Sequence, residues 1–167
     1  MVTRERFEQG MTLPQYLDQM GTNKETFVKF LSEIKIRPED REALAKLGRK
    51  LKVLVITEDW CGDALYNVPV LAKLVEGNPN VEMRLFLRDK NPDLMDQYLN
   101  KGMFRSIPVF AFFDENMNEV ARLLERPDKM TEELEKKMLE VRRTMRAENL
   151  DRWRQEVVNE VRSLIKA

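Results

Sequence analysis

The sequence predicts an α/β fold: a central mixed sheet of four strands flanked by helices, with an N-terminal helical extension and a long C-terminal helix. Three observations carry this. At Leu51–Thr57 (LKVLVIT) the apolar pattern changes from helical spacing to a nearly continuous aliphatic run, the mark of a strand buried on both faces. From that point strand-like and helix-like segments follow in the order strand, helix, strand, helix, strand, strand, helix. Before and after this stretch, apolar residues recur at helical spacing among dense charge.

Residues 12–48 read as helical. Thr12 caps a short segment holding Leu13, Tyr16, Leu17 and Met20, which Gly21 ends. Asn23 caps the next, where Phe27, Phe30, Leu31 and Ile34 share a face. Pro38 opens Glu39–Leu47 and Gly48 closes it. These amphipathic segments are expected to pack on the main body. After the first strand, Gly62 to about Glu76 is predicted helical with Pro69 in its interior, where a kink is expected. Val81–Leu87 is the second strand and Pro92–Lys101 a helix ended by Gly102. Val109–Phe113 and Glu119–Leu124 are strands joined by the polar hairpin loop Asp114–Asn118.

From Thr131 onward the chain is predicted helical almost to its end. Leu134, Met138, Val141 and Met145 form one stripe; Leu150, Trp153, Val157, Val161 and Leu164 form another. The step from Met145 to Leu150 rotates the stripe by roughly 140°. Either the helix breaks near Asn149 or its far half faces another surface. Packing onto the N-terminal helices and a homodimer through the C-terminal helix are both open. The expected organisation is one domain over 1–167, with an N-terminal extension at 1–48, a core at 51–125 and a C-terminal segment at 131–165.

Composition narrows the chemistry. The chain has 167 residues, 43% of them hydrophobic and 35% charged, enough for a proper core under a solvated surface. Lys+Arg and Asp+Glu both number 29, so nothing points to a nucleic-acid partner. No apolar run approaches the ~20 residues that span a bilayer, and Met1–Gly10 lacks the apolar stretch of a signal peptide. No membrane partner is expected, and a cytoplasmic location is. Histidine is absent and cysteine occurs once, which excludes an internal disulfide, Ser-His and Cys-His pairs and His- or Cys-cluster metal sites. No metal site and no cofactor are expected.

The chemistry that remains centres on two short segments. Trp60-Cys61-Gly62-Asp63-Ala64 places the only cysteine between an apolar strand and a helix start, and Arg105-Ser106-Ile107-Pro108 precedes another apolar strand. A helix N-terminus stabilises a thiolate through its unpaired N–H groups and the positive end of its dipole. Glu58, Asp59 and Asp63 act the other way: a carboxylate at ~6 Å disfavours the thiolate by roughly 1–3 kcal/mol against about 0.3–2 kcal/mol from the helix. These terms are comparable, so the sequence leaves the direction of the thiol's pKa shift open.

The element order and the two motifs resemble the thioredoxin superfamily, and Thr57-Glu58-Asp59-Trp60-Cys61-Gly62-Asp63-Ala64 is similar to a bacterial branch of thioredoxin-like proteins with a Trp-Cys-Gly-Asp site. The resemblance covers roughly Leu51 to Glu125. It implies a thioredoxin-like fold, Cys61 as the nucleophile, and Pro69 as the helix-kinking proline. It also implies a cis bond at Ile107–Pro108, whose backbone edge a substrate chain joins, with Trp60, Gly62 and Asp63 lining the groove. Asp59 and Arg105 stand where they can modulate the thiol electrostatically. Two departures matter. Ala64 replaces the resolving cysteine, and Val55 stands where thioredoxins bury an aspartate that assists proton transfer.

Two functional readings follow. One is a monothiol thiol–disulfide oxidoreductase in cell redox homeostasis, acting on protein or small-molecule disulfides and regenerated by an external low-molecular-weight thiol. The other is a non-catalytic thioredoxin-fold binding or adaptor module that keeps the groove around Pro108.

Overall fold

The computed structural model describes residues 1–164, and its frame is the sheet formed by β1 (Leu51–Thr57), β2 (Val81–Leu87), β3 (Val109–Phe113) and β4 (Glu119–Leu124). The strand order is β2-β1-β3-β4. β1 pairs parallel with β2, from Leu51 opposite Val81 to Thr57 opposite Leu87, and antiparallel with β3, which pairs antiparallel with β4. The aliphatic run of β1 therefore lies in the interior of a mixed sheet, and its alternation feeds two cores. Leu54 and Ile56 join Phe7, Leu94, Met95, Tyr98 and Ile107 on one face. Val53 and Val55 join Tyr16, Phe27, Ala64, Val68 and Phe110 on the other. Burial on both faces is why this strand tolerates no polar alternation.

Helices supply those partners. α1 (Arg4–Glu8), which periodicity did not reveal, buries Phe7. α2 (Leu13–Gln19) starts with the expected Thr12 cap, closed into a capping box by Gln15. Between them the chain crosses the outer edge of β2. Met11 and Leu85 exchange backbone hydrogen bonds of 2.9 and 2.8 Å. A Cβ on Gly10 would stand 2.6 Å from the Phe86 ring, so only glycine allows this approach.

α3 (Lys24–Glu33) begins after Asn23, but Asn23 does not cap it: its φ is 57°, and its side chain donates to the Asp59 carbonyl instead. α4 runs Pro38–Ala45, two residues short of the expected Leu47, and contributes no buried residue. α5 (Gly62–Val75) holds Pro69 in its interior as expected.

α6 (Pro92–Met95) is much shorter than the predicted Pro92–Lys101. After Met95 the bonds tighten to three-residue steps, Gln97 N to Leu94 O and Tyr98 N to Met95 O. Asn100 and Phe104 then close a loop by exchanging backbone bonds. Tyr98 is buried in the sheet core, and a local turn that places it there replaces the helix.

The described residues divide into two compact units, Met1–Arg126 and the segment from Pro127 on. The second unit is made of α7 (Asp128–Glu148), which starts before the expected Thr131, and α8 (Leu150–Leu164). The helix breaks at Asn149 (φ −126°, ψ 34°), whose carbonyl accepts the Trp153 N–H at 2.8 Å. No described residue of α7 or α8 is buried. The expected end of this segment at residue 165 lies outside the described residues.

Candidate active site around Cys61

Cys61 is the N-cap of α5, and its Sγ accepts the Ala64 N–H at 3.4 Å, one turn along. On its other side Sγ lies 3.5 Å from the Ile107 carbonyl oxygen, to which the S–H donates. The Ile107–Pro108 peptide bond is cis. The two motifs, 46 residues apart in sequence, thus meet at the sulfur. β1 delivers Cys61 at its C-terminal end, and β3, its antiparallel neighbour, starts at the same end with Val109 directly after Pro108.

Burial is the main influence on this thiol and pushes its pKa above the ordinary cysteine value. The N–H groups of Ala64 and Asp63 oppose that shift, the Asp63 charge adds to it, and the Arg88 cation partly offsets it. The helix N-terminus and the Asp63 carboxylate compete, as the sequence suggested. Desolvation, which depends on what packs against the sulfur, decides the direction: Cys61 is partly buried between the two cores.

Each expected site residue has a defined place. Trp60 is 47% exposed beside the thiol, with the Arg88 guanidinium 4.7 Å from its ring centroid. Gly62 is exposed and a Cβ there would meet nothing within 4 Å. The Asp63 carboxylate pairs with Arg126 at 2.7 Å, and Arg126 also holds Glu125 at 2.9 Å. Glu125 in turn donates its N–H to the Pro108 carbonyl at 2.7 Å and accepts from Asn100 at 2.9 Å. Asp63 is therefore tied to the loop that carries Pro108.

The two residues expected to modulate the thiol have other partners. The Asp59 carboxylate accepts the N–H groups of Gly21 and Thr22 at 2.8 and 3.0 Å, fastening the α2–α3 turn to the active-site loop. Arg105 makes a two-pronged pair with Asp96 at 2.8 and 2.9 Å. Only its carbonyl turns toward the site, accepting from Arg88 at 3.5 Å.

Arg88 is the cation that bears on the sulfur, and sequence reasoning passed over it. The signal was available in the parallel register. Thr57 and Leu87 are paired partners, so the residues following each emerge side by side at one sheet end. Glu58 confirms this geometry, since its buried carboxylate accepts the Asp89 N–H at 2.8 Å. Tyr16, also passed over, comes from the N-terminal layer and packs edge-on to Phe27 in the core that borders Cys61. Burial pushes its phenol up to about 12.

A family model described as "Thioredoxin" matches residues 10–138. The chain belongs to the thioredoxin family. This thioredoxin-family match takes in α2, α3 and α4 as well as the sheet. Two solved structures cover 77% of the chain and are themselves covered to 80%, both at 22% identity. They are a protein of unknown function from Pseudomonas aeruginosa, with a TM-score of 0.66, and an HIV epitope-scaffold, with a TM-score of 0.67. They share the fold. No curated protein matches the chain in sequence. Among the described residues no group of three or more His, Cys, Asp or Glu is placed to hold a metal ion, and no helix is long and apolar enough to cross a membrane.

Proposed function

We propose that this thioredoxin-family protein is a thiol–disulfide oxidoreductase that works through one sulfur, Cys61, in the cytoplasm. The observation that carries this reading is the placement of Sγ at the N-terminus of α5 and 3.5 Å from the Ile107 carbonyl. There a disulfide laid along the Ile107–Pro108 backbone meets the sulfur.

The reaction has two exchanges. Cys61 loses its proton to solvent, and the thiolate attacks one sulfur of a substrate disulfide. A Cys61–substrate disulfide forms as the substrate's S–S bond breaks, and the departing thiolate takes up a proton. With Ala64 one turn along there is no internal thiol to complete the cycle. An external low-molecular-weight thiol then attacks the mixed disulfide, leaves with the substrate sulfur, and returns Cys61 to its reduced form. Arg88 favours the thiolate, while Trp60 and Gly62 border the approach.

The upward shift of the thiol favours a second reading, in which the groove holds a peptide without turnover. Oxidising challenge of a lysate, followed by acid quench and alkylation, separates the two. The oxidoreductase carries small-thiol or protein adducts on Cys61 that vanish in Cys61→Ser. A binding module is recovered with its thiol free.

A further inference from the structure

Glu125, just past the end of β4, sits in a strained turn. Its φ is 64°, a region that residues with a Cβ rarely adopt, and the Arg126 N–H closes a three-residue turn on the Leu124 carbonyl at 2.7 Å. Such a conformation persists only where surrounding contacts over-determine it, and here they do. One Glu125 carboxylate oxygen lies 2.9 Å from the Arg126 guanidinium, and the other accepts from Asn100 at 2.9 Å. The Glu125 N–H donates to the Pro108 carbonyl, and the Glu125 carbonyl accepts the Asn67 amide at 3.3 Å. Asn67 also donates to the Asp63 carbonyl at 2.7 Å, one residue into α5. The first turn of α5 is thus bracketed to the Pro108 loop twice, by Asn67 and by the pair of Arg126 with Asp63.

The carboxylates near Cys61 in sequence are held differently. Glu58 accepts the Asp89 N–H, and Asp59 accepts those of Gly21 and Thr22. Asp63 is the carboxylate whose charge raises the thiol, and the Arg126 guanidinium faces it at 2.7 Å. From the other elements packed here, Arg88 after β2 favours the thiolate, and the Tyr16 phenol of α2 keeps its proton up to about 12.

We propose that Arg126 is a positioning residue for exchange at Cys61: it neutralises Asp63 beside the sulfur and, through Glu125, fixes the Pro108 loop against which a peptide disulfide lies. The loop role rests on the oxidoreductase reading; the charge role needs only the thiol. Opposite charges in contact cancel most of their field a few ångströms away, so losing the guanidinium exposes the Asp63 charge to the thiolate. Losing it also leaves the Glu125 carboxylate, next to the Pro108 carbonyl, without its cation.

The test alkylates the full chain with iodoacetamide across pH, a readout that needs no disulfide. Arg126→Met is expected to raise the Cys61 midpoint by at least about 0.3 pH unit, and Asp63→Asn to lower it. Arg126→Lys keeps the charge and should give back most of the rise. In the Asp63→Asn background, Arg126→Met should leave the midpoint where it is. Arg126→Gln makes the same charge test should Arg126→Met fail to fold. An unmoved midpoint, or an equal rise in the Asp63→Asn background, would overturn the proposal. For the loop role, single-turnover exchange is compared at one thiolate fraction. Arg126→Met should slow exchange with insulin at least about fivefold more than exchange with hydroxyethyl disulfide, which has no backbone to lay on the loop. Equal slowing would overturn that role. Wild-type protein that exchanges with neither disulfide would overturn the oxidoreductase reading and the loop role with it, while the alkylation midpoints still decide whether Arg126 acts through Asp63.

Discussion

The Cys61 sulfur and the Ile107 carbonyl oxygen stand 3.5 Å apart, and the contact suits the thiol better than the thiolate. A protonated sulfur donates to that oxygen. A deprotonated one faces a carbonyl dipole pointing its negative end at it, which adds to the effect of burial.

Alkylation of Cys61 is therefore expected to follow a pH profile with its midpoint above the ~8.5 of a free cysteine. Arg88→Met should move the midpoint further up, because it removes the cation that offsets burial. Stability has the matching sign: the raised pKa means that the folded state holds this proton more tightly. The protein should lose stability as pH rises from the free-thiol value through the folded one, and Cys61→Ala should lack that loss. A midpoint at or below neutrality would contradict the desolvated thiol.

Ala64→Cys should convert the site to a dithiol. Ala64 is buried, with its N–H 3.4 Å from Sγ, so a second sulfur one turn along stands within bridging reach. Insulin reduction should rise from a weak baseline, though only in part, because Val55 puts no proton-handling acid at that position of β1. The reduced variant should be less stable by roughly 1–3 kcal/mol, the usual result of enlarging a packed core residue. Equal reduction rates for the two proteins would refute the single-thiol mechanism.

Asp59→Ala removes the acceptor shared by the Gly21 and Thr22 N–H groups and should cost about 1–3 kcal/mol in chemical denaturation. Because this contact holds the α2–α3 turn against the active-site loop, Cys61 should also alkylate faster. Unchanged stability and unchanged reactivity together would show that the contact fastens nothing.

Glu58→Gln tests the carboxylate at the β1–β2 end. Burial raises the Glu58 pKa above the ordinary value, against the opposing Asp89 N–H. The wild-type protein must ionise this group as pH climbs, and it loses stability across that range. Glutamine keeps an acceptor for Asp89 and never ionises. The variant should therefore gain in melting temperature relative to wild type from pH 4 to pH 7. A difference that shrinks over that interval would reverse the assigned shift.

Much of this was legible in the chain itself. The β1 run, the hairpin at Asp114–Asn118 and the Thr12 cap are local patterns, set by side-chain period and turn chemistry within a few residues. They reappear at or within a few residues of the expected positions. The helix predicted to Lys101 did not, because Tyr98 gains more from burial under the sheet than from another helical turn, and that gain is not local.

The site divides along the same line. Sequence determined that one thiol sits at a helix start with no histidine and no second cysteine, which restricts the available chemistry. Tertiary structure alone decided which charges reach it. Asp59 and Arg105 are near Cys61 or its groove in sequence but bind Gly21, Thr22 and Asp96. Arg88, 27 positions away from Cys61, arrives through the parallel pairing of β1 and β2. Electrostatic influence depends on distance and solvent exclusion, and both are fixed by packing rather than by position in the chain.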